Sequence, residues 1–263
     1  MDLHLEHRAA LVTAASQGLG YATALQLSRE GAQVAVCSRN QARINAAADA
    51  IRAETGNPAL PIVADVTDPK DIPALVDRVV EEFGGLDVLV VNAGGPPPGA
   101  FEEFDDGAWM DAFNLMLMSA VRLIRAALPH LRLSDVPAVL TITSYSVKQP
   151  IANLILSNSL RMAVVGLTKT LALELGAERI RFNSILPAWT ETERVQDLMQ
   201  ARAARSGATI KEEMAKQAAA SPFGRMATPQ EFANVAAFLC SPAASYVTGV
   251  MLPVDGGMVK GTL

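Results

Sequence analysis

Residues 9–20, AALVTAASQGLG, decide the fold. The apolar run Ala9–Thr13 is typical of a buried β-strand, and the turn after it holds Gly18 and Gly20 before a helix that ends at Gly31. A glycine-rich turn lets the backbone approach a ligand closely, and the helix that it opens offers free N–H groups and a partial positive charge. Because the turn follows a strand and opens a helix, it predicts a cradle for the diphosphate of a dinucleotide.

Short apolar runs alternate with helical patterns along the rest of the chain. Six further runs are nearly continuous in apolar residues, as in strands covered on both faces: 33–38, 60–64, 86–91, 138–143, 180–186 and 249–254. Gly56 and Gly84 are predicted to end two of the helices, and Asp68 to cap the second with Pro69 at its first position. This alternation predicts an α/β, single-domain, doubly wound Rossmann fold, with helices on both faces of a mostly parallel seven-stranded sheet.

Composition narrows the class of protein. The 263 residues include 22 Lys and Arg and 27 Asp and Glu, so the net charge of −5 gives no electrostatic reason to expect nucleic acid. No apolar run reaches the roughly 18 residues of a membrane span, and no signal peptide pattern opens the chain, so we expect a cytoplasmic protein without a membrane partner. Cys37 and Cys240 lie in apolar surroundings and are interpreted as buried thiols, and the three histidines suggest no metal site.

The end of the second strand bears on the choice of cofactor. A NAD site usually places an acid about 20 residues after the glycine turn to bind the ribose hydroxyls. Here the strand ends with Ser38 and Arg39 and has no acid. A guanidinium suits the 2′-phosphate, so Arg39 favours NADP(H) over NAD(H). The alternative interpretation is a solvated arginine at the start of a helix.

Several motifs, in the same order along almost the whole chain, resemble those of the short-chain dehydrogenase/reductase family. Thr13–Gly20 is similar to its Thr-Gly-x-x-x-Gly-x-Gly loop, residues 91–94 to its Asn-Asn-Ala-Gly, and 187–192 to its Pro-Gly-x-x-x-Thr segment. The resemblance implies a nicotinamide cofactor held by Thr13, Ser16, Gln17, Gly18, Leu19, Gly20, Ser38, Arg39, Asp65, Val66, Asn92, Ala93, Gly94, Arg161, Pro187, Ala188, Thr190 and Thr192. Ala14 and Ala188 replace two of the family's glycines, which is tolerable where φ is negative and costly where it is not.

The catalytic set departs from the family. Asn114 and Ser144 match the family's Asn and Ser, but the positions of its catalytic Tyr and Lys hold Ser157 and Arg161. The nearby Tyr145 and Lys148 are three residues apart rather than four and precede the helix. If the strand geometry continues, Tyr145 points away from Ser144, so it is at best a displaced substitute.

Three functions remain open at this stage. The first is an NADP(H)-dependent oxidoreductase, 3-oxoacyl reductase-like, that acts on a small carbonyl or alcohol substrate with Asn114, Ser144, Ser157 and Arg161 as an altered catalytic set. The second is a cofactor-binding protein with little turnover, and the third is a non-redox enzyme that reuses the pocket. Arg161 could bind ribose hydroxyls but could not shuttle a proton, because an arginine pKa exceeds about 12.

Residues 189–222 form a long connection that mixes apolar residues with basic ones: Met199, Ile210 and Met214 with Arg194, Arg202, Arg205, Lys211 and Lys216. The resemblance implies a lid over the substrate, and a surface helical pair with a solvated basic face explains the pattern equally well. The basic residues suggest a carboxylated or acyl-carrier substrate. The resemblance also implies a homotetramer or homodimer, whereas the apolar helix faces could instead pack on the sheet.

Overall fold

The computed structural model describes residues 1–262 and contains one seven-stranded sheet. Its strands are β1 Ala9–Val12, β2 Gln33–Ser38, β3 Ala59–Val63, β4 Val88–Val91, β5 Ala138–Ile142, β6 Arg181–Pro187 and β7 Met251–Val254. They lie in the order β3-β2-β1-β4-β5-β6-β7, and every pair is parallel. The order reverses between β1 and β4, so a crevice opens there at the carboxyl ends of the strands.

The helices cover both faces of the sheet. They are α1 Gly18–Arg29, α2 Gln41–Thr55, α3 Asp71–Phe83, α4 Asp106–Phe113, α5 Ser119–Leu131, α6 Ile155–Glu174, α7 Glu193–Ser206, α8 Ile210–Ala220 and α9 Pro229–Cys240. Within β1, Val12 packs with α1, α2 and α9 on one face, and Leu11 packs with α3, α5 and α6 on the other. Because successive strand residues are buried on opposite faces of the sheet, the strands are continuous apolar runs in the sequence. The predicted doubly wound fold is confirmed.

The predicted helix ends are right, and one predicted helix start is wrong. Gly56 and Gly84 adopt left-handed backbone conformations at the ends of α2 and α3. Asp68 does not cap α3, which begins three residues later at Asp71. The Asp68 carboxylate instead accepts from the Lys70 N–H in a turn before the helix, and the Asp71 carboxylate at the start of α3 accepts from the Asp65 N–H at 2.8 Å.

The longest helical stretch of the chain runs from α4 through a π-helical segment, Asn114–Met118, into α5. By length and composition alone this stretch, Asp106–Leu131, is apolar enough to cross a membrane, although Asp111, Arg122 and Arg125 interrupt its apolar residues. Leu123, Ala127 and Leu131 on this stretch are buried in the core against the sheet. Its apolar character therefore has the same origin as in other core helices.

Candidate functional site

The turn between β1 and α1 is built to approach a ligand with its backbone. A Cβ on Gly20 would lie 2.5 Å from the Ala14 carbonyl oxygen and 2.8 Å from the Asn92 amide nitrogen, so only glycine fits there. Gln17, the residue before α1, gives the helix no side-chain cap, which leaves the first N–H groups of α1 open to an anion. The turn therefore fits the diphosphate of a dinucleotide.

Hydrogen bonds fix this turn to the end of β4. The Thr13 hydroxyl donates to the Asn92 carbonyl oxygen at 2.6 Å and accepts from the Asn92 N–H at 2.8 Å. The Asn92 side chain donates in turn to the Ala14 carbonyl oxygen at 3.2 Å. These bonds bring the predicted residues Thr13 and Asn92 together across the crevice between β1 and β4.

Ala14 is strained, whereas Ala188 is not. Ala14 has φ 48°, in the left-handed region, while Ala188 is absent from the residues with positive φ. An L-residue in the left-handed region costs about 1 to 2 kcal/mol. Of the two alanines that replace family glycines, only Ala14 carries the expected penalty.

Replacing Ala14 by glycine should therefore stabilise the protein by about 1 kcal/mol, since glycine adopts this conformation without strain. We expect the melting temperature to rise by about 2 to 4 °C in thermal unfolding. Ala188→Gly is the matched control: its backbone is unstrained, so added flexibility of the unfolded chain should lower the melting temperature slightly. A lower melting temperature for Ala14→Gly would contradict the strain.

The end of β2 and the loop after β3 form the next part of the crevice. The Arg39 side chain is 78% exposed, and its Nη1 lies 3.9 Å from an Asp65 carboxylate oxygen. The other Asp65 oxygen accepts from the N–H and the hydroxyl of Thr67, and Val66 is buried beside it. Ser38 donates to the Asn40 carbonyl oxygen at 3.3 Å. The guanidinium of Arg39 thus stays accessible at the mouth of the crevice.

Arg43 was missed by the sequence analysis. Its Nη1 donates to the Gln17 side-chain oxygen at 2.9 Å, which places a second guanidinium against the glycine turn. Arg43 lies in the first turn of α2, whereas Arg39 precedes this helix, which begins at Gln41. No short motif marks Arg43, because its bond to Gln17 joins segments that are 26 residues apart.

The segment after β6 closes over the glycine turn. Pro187 ends β6, the Ala188 N–H donates to the Val254 carbonyl oxygen at 3.1 Å, and Thr190 is buried. Thr192 caps α7, and its side chain lies 3.8 Å from where a Cβ on Gly18 would stand. The predicted cofactor residues from four separate loops therefore border one crevice, in which Ser16 and Leu19 are half-buried and Gly94 is exposed.

Ser157 and Arg161 are joined by a hydrogen bond on α6. The Arg161 Nε donates to the Ser157 hydroxyl oxygen at 3.1 Å. The Arg161 Nη1 donates to the carbonyl oxygens of Ile142 at 3.1 Å and Thr143 at 2.8 Å. Arg161 therefore ties α6 to the end of β5, immediately before Ser144.

Burial, together with the charge of Arg194, lowers the pKa of Arg161 to about 10. The Arg161 guanidinium is therefore still protonated at neutral pH. It also borders a cavity of about 20 Å³ with Ala93, Gly94 and Thr143, which is room for one water-sized molecule.

Ser144 and Asn114 flank this pair without bonding to it among the described residues. The Ser144 hydroxyl accepts from the Ser146 N–H at 3.1 Å, and Ser144 is half-buried. Asn114 opens the π-helical segment, and its carbonyl oxygen accepts from the Ser119 N–H. Met116 on that segment packs against Leu160, so the segment lies against α6.

Tyr145 and Lys148 belong to one 3-10 turn, in which the Lys148 N–H donates to the Tyr145 carbonyl oxygen at 2.9 Å, and their side chains lie in different surroundings. The Tyr145 ring is buried against Trp189 in an edge-to-face contact, with 6.2 Å between ring centroids, and burial raises its pKa. Lys148 is exposed. Among residues 1–262, neither side chain forms a hydrogen bond with Ser157 or Arg161.

Comparisons with known proteins relate this chain to reductases and dehydrogenases. Residues 13–259 match a family model described as enoyl-(acyl carrier protein) reductase. The chain is 36% identical to cis-4-hydroxycyclohexanecarboxylate dehydrogenase of Sinomonas cyclohexanicum, over 95% of this chain and 96% of the relative.

Two solved structures have closely similar folds. L-sorbose reductase of Gluconobacter frateurii, complexed with NADPH and L-sorbose, has a TM-score of 0.94 and 32% identity, covering 99% of this chain and 100% of its own. An NADPH-bound short-chain oxidoreductase of Pseudomonas aeruginosa PAO1, described as containing an atypical catalytic center, has a TM-score of 0.89 and 30% identity, over 98% and 99% of the two chains. With its family match, its sheet order and its glycine turn, the chain belongs to the short-chain dehydrogenase/reductase family.

Proposed function

We propose that the protein is an NADP(H)-dependent oxidoreductase that interconverts a carbonyl and an alcohol, with Ser157 in the role of the family's tyrosine. The observation that carries this proposal is the hydrogen bond from Arg161 to the Ser157 hydroxyl oxygen, at 3.1 Å. When bound, the cofactor supplies or accepts the hydride. The chain's own residues orient the substrate oxygen and provide its hydrogen bonds.

The hydrogen bond from Arg161 orients the Ser157 hydroxyl group. Because the Ser157 oxygen accepts from a cation, its own O–H is free to donate to a substrate oxygen, and the neighbouring charge makes it a stronger donor. Arg161 cannot swing away without breaking its bonds to the Ile142 and Thr143 carbonyl oxygens. Ser144, at the adjacent strand end, supplies a second hydroxyl. Asn114 completes the proposed set as a positioning residue on the neighbouring helix.

The comparisons support a redox role over the two alternatives. One relative is a dehydrogenase of a hydroxy acid, and two structural neighbours were solved with NADPH, one of them with an atypical catalytic center. A cofactor-binding protein with little turnover is the second candidate, favoured by the absence of the family's Tyr and Lys. Non-redox use of the pocket ranks third. A 3-oxoacyl compound remains one candidate substrate.

Replacing Ser157 by alanine should lower the rate of carbonyl reduction by about 10²-fold or more, because the substrate oxygen loses its placed donor. The measurement is the initial rate of product formation and of NADPH oxidation, over a panel of ketones and oxo acids, after NADPH binding has been confirmed for each variant. Tyr145→Phe is the control and should keep the wild-type rate, since its ring packs against Trp189.

Four outcomes would contradict the proposal. An unchanged rate in Ser157→Ala would remove Ser157 from the mechanism, and a lost rate in Tyr145→Phe would make the tyrosine the donor. NADPH binding without turnover of any compound would favour the second candidate function. Product without NADPH oxidation would favour the third.

We also propose that NADP(H) is preferred over NAD(H). Arg39 is exposed at the crevice mouth, Arg43 lies against the glycine turn, and β2 ends without an acid. Two guanidinium groups beside the expected ribose position suit a 2′-phosphate.

Arg39→Ala should weaken NADPH binding by about 10- to 100-fold, and NADH binding by much less, because only NADPH carries the phosphate. Calorimetric titration of both cofactors measures the difference. Arg52→Ala, an exposed arginine of α2 that pairs with Asp49, is the control. Equal losses for NADPH and NADH would contradict the proposal.

The segment after β6 borders the same crevice. Residues 189–222 form the α7–α8 pair, in which Met199 is buried with Trp189 and Tyr145, so this segment covers one side of the crevice. We propose that it is the substrate lid. The predicted homotetramer or homodimer and the cytoplasmic location stay predictions.

A further inference from the structure

Arg194, the second residue of α7, reaches across the crevice to the loop after β4. Its Nη2 donates to the Pro96 carbonyl oxygen at 2.6 Å. Its guanidinium atoms lie 2.8 to 3.1 Å from where a Cβ on Gly95 would stand, so a larger residue there would displace the end of the Arg194 side chain. Arg194 therefore lies between the α7–α8 pair and the loop that also borders Arg161.

The loop that receives Arg194 is fixed relative to Ser157. Pro96, Pro97 and Pro98 restrict the backbone and leave it without N–H groups there. The next residue, Gly99, donates to the Asn153 carbonyl oxygen at 2.8 Å and accepts from the Ile155 N–H at 3.4 Å, two residues before Ser157. A ligand group bound by Arg194 would therefore lie at a fixed distance from the Ser157 hydroxyl.

The positive charge of Arg194 has no carboxylate partner within 4 Å in the described part of the chain. Most of the exposed arginines do pair, for example Arg205 with Glu103 and Arg225 with Glu231. Burial lowers the pKa of Arg194, and the one acid that opposes this shift, Asp197, is exposed on the outer surface of α7.

Arg161 adds a second half-buried cation to the same crevice. Within residues 1–262 it also has no carboxylate within 4 Å, and the charge of Arg194 contributes to lowering its pKa. Two neighbouring cations that are partly removed from water are unfavourable unless an anion joins them.

We propose that Arg194 is a substrate-binding residue that pairs with a carboxylate on the substrate; this inference rests on the proposed oxidoreductase function and names its substrate class. A guanidinium matches a carboxylate with two parallel hydrogen bonds, and Pro96 engages only one of the five N–H donors of Arg194. The cofactor's diphosphate is the other anion that could bind here. Arg194 is directed toward Pro96 and the Arg161 side, whereas the open N–H groups of α1 are at the glycine turn, so the geometry favours the substrate.

The test compares acids with their methyl esters. The probes are 4-oxopentanoate and 3-oxocyclohexanecarboxylate, each with its ester, and the variants are Arg194→Met and Arg194→Lys. Arg205→Met is the control, because Arg205 lies on the same helix but pairs with Glu103 at the surface. NADP⁺ affinity is measured first for every variant by calorimetry, followed by kcat/KM for each probe.

We expect the wild type to prefer each acid to its ester by about 10- to 100-fold, mainly through KM, and Arg194→Met to lose that preference. Ester turnover should fall far less than acid turnover, NADP⁺ affinity should change by much less than about tenfold, and Arg194→Lys should restore part of the preference. An acid-to-ester ratio that is unchanged in Arg194→Met would overturn the proposal. A tenfold loss of NADP⁺ affinity, with acid and ester declining equally, would assign Arg194 to the diphosphate and would also overturn it.

The outcome can be separated from that of the proposed function. If no probe is turned over, the oxidoreductase proposal fails, and binding of the same probes to the NADP⁺ complex still tests Arg194. Acid binding that exceeds ester binding in the wild type and not in Arg194→Met would support the carboxylate site. Equal binding of acid and ester, or no binding of either acid, would overturn it.

Discussion

A chain that carries both Ser157→Tyr and Arg161→Lys should reduce ketones about 10² to 10⁴ times faster than the unaltered protein. The two positions lie one helical turn apart on α6 and already form a hydrogen bond, so a tyrosine and a lysine placed there would face the same crevice. A phenol next to an ammonium group is a far better proton donor than a serine hydroxyl. The measurement is kcat/KM with NADPH over a ketone panel.

Ser159→Tyr is the matched control for this gain. Ser159 is exposed on α6, so the same substitution there should leave the rate unchanged. Each single substitution should gain less than the double one, because residues in contact act non-additively. If the double variant folds, binds NADPH and shows no gain, Ser157 and Arg161 do not occupy the positions of the family's catalytic pair.

Replacing Gly20 by alanine should weaken binding of the nicotinamide cofactor by about 100-fold or more. The added Cβ would lie 2.5 Å from the Ala14 carbonyl oxygen and 2.8 Å from the Asn92 side chain, so the turn must move. The Thr13 and Asn92 bonds that hold the turn to β4 would be displaced with it. Good ligand hydrogen bonds to backbone groups are worth about 1 to 3 kcal/mol each, and several would be misplaced. Fluorescence titration with NADPH checks this.

Gly85→Ala is the control for the Gly20 substitution. A Cβ on Gly85 meets nothing within 4 Å, and Gly85 is absent from the glycines with positive φ, so cofactor affinity should stay at the wild-type value. Unfolding in urea separates loss of binding from loss of the fold. Wild-type affinity in a folded Gly20→Ala variant would contradict a cofactor cradle at this turn.

Much of the fold could be predicted because its determinants are local. The strand positions follow from apolar runs, and each observed strand begins or ends within two residues of its predicted bounds. Gly56 and Gly84 end helices because a left-handed residue is needed there. The start of α3 could not be predicted from Asp68 and Pro69, because the Asp68 carboxylate is engaged in a turn before the helix rather than in a cap.

The site could be predicted only where a short motif defines it. The glycine turn, Asn92 and the Ser157–Arg161 pair follow from spacing along the chain. The positive φ of Ala14, the bonds of Arg161 to β5 and the reach of Arg194 to Pro96 depend on segments distant in sequence. Such contacts are set by tertiary packing, which no local pattern records.

The hydrogen bonds of Arg161 to β5 and to Ser157 make the two positions interdependent. Its guanidinium serves two main-chain acceptors and Ser157 at once, so the three bonds are gained or lost together. Changing Arg161 alone would remove the donor that orients the Ser157 hydroxyl, and changing Ser157 alone would remove the acceptor of the Arg161 Nε. The two positions are therefore coupled through one side chain, so the effect of a substitution at either position depends on the residue at the other.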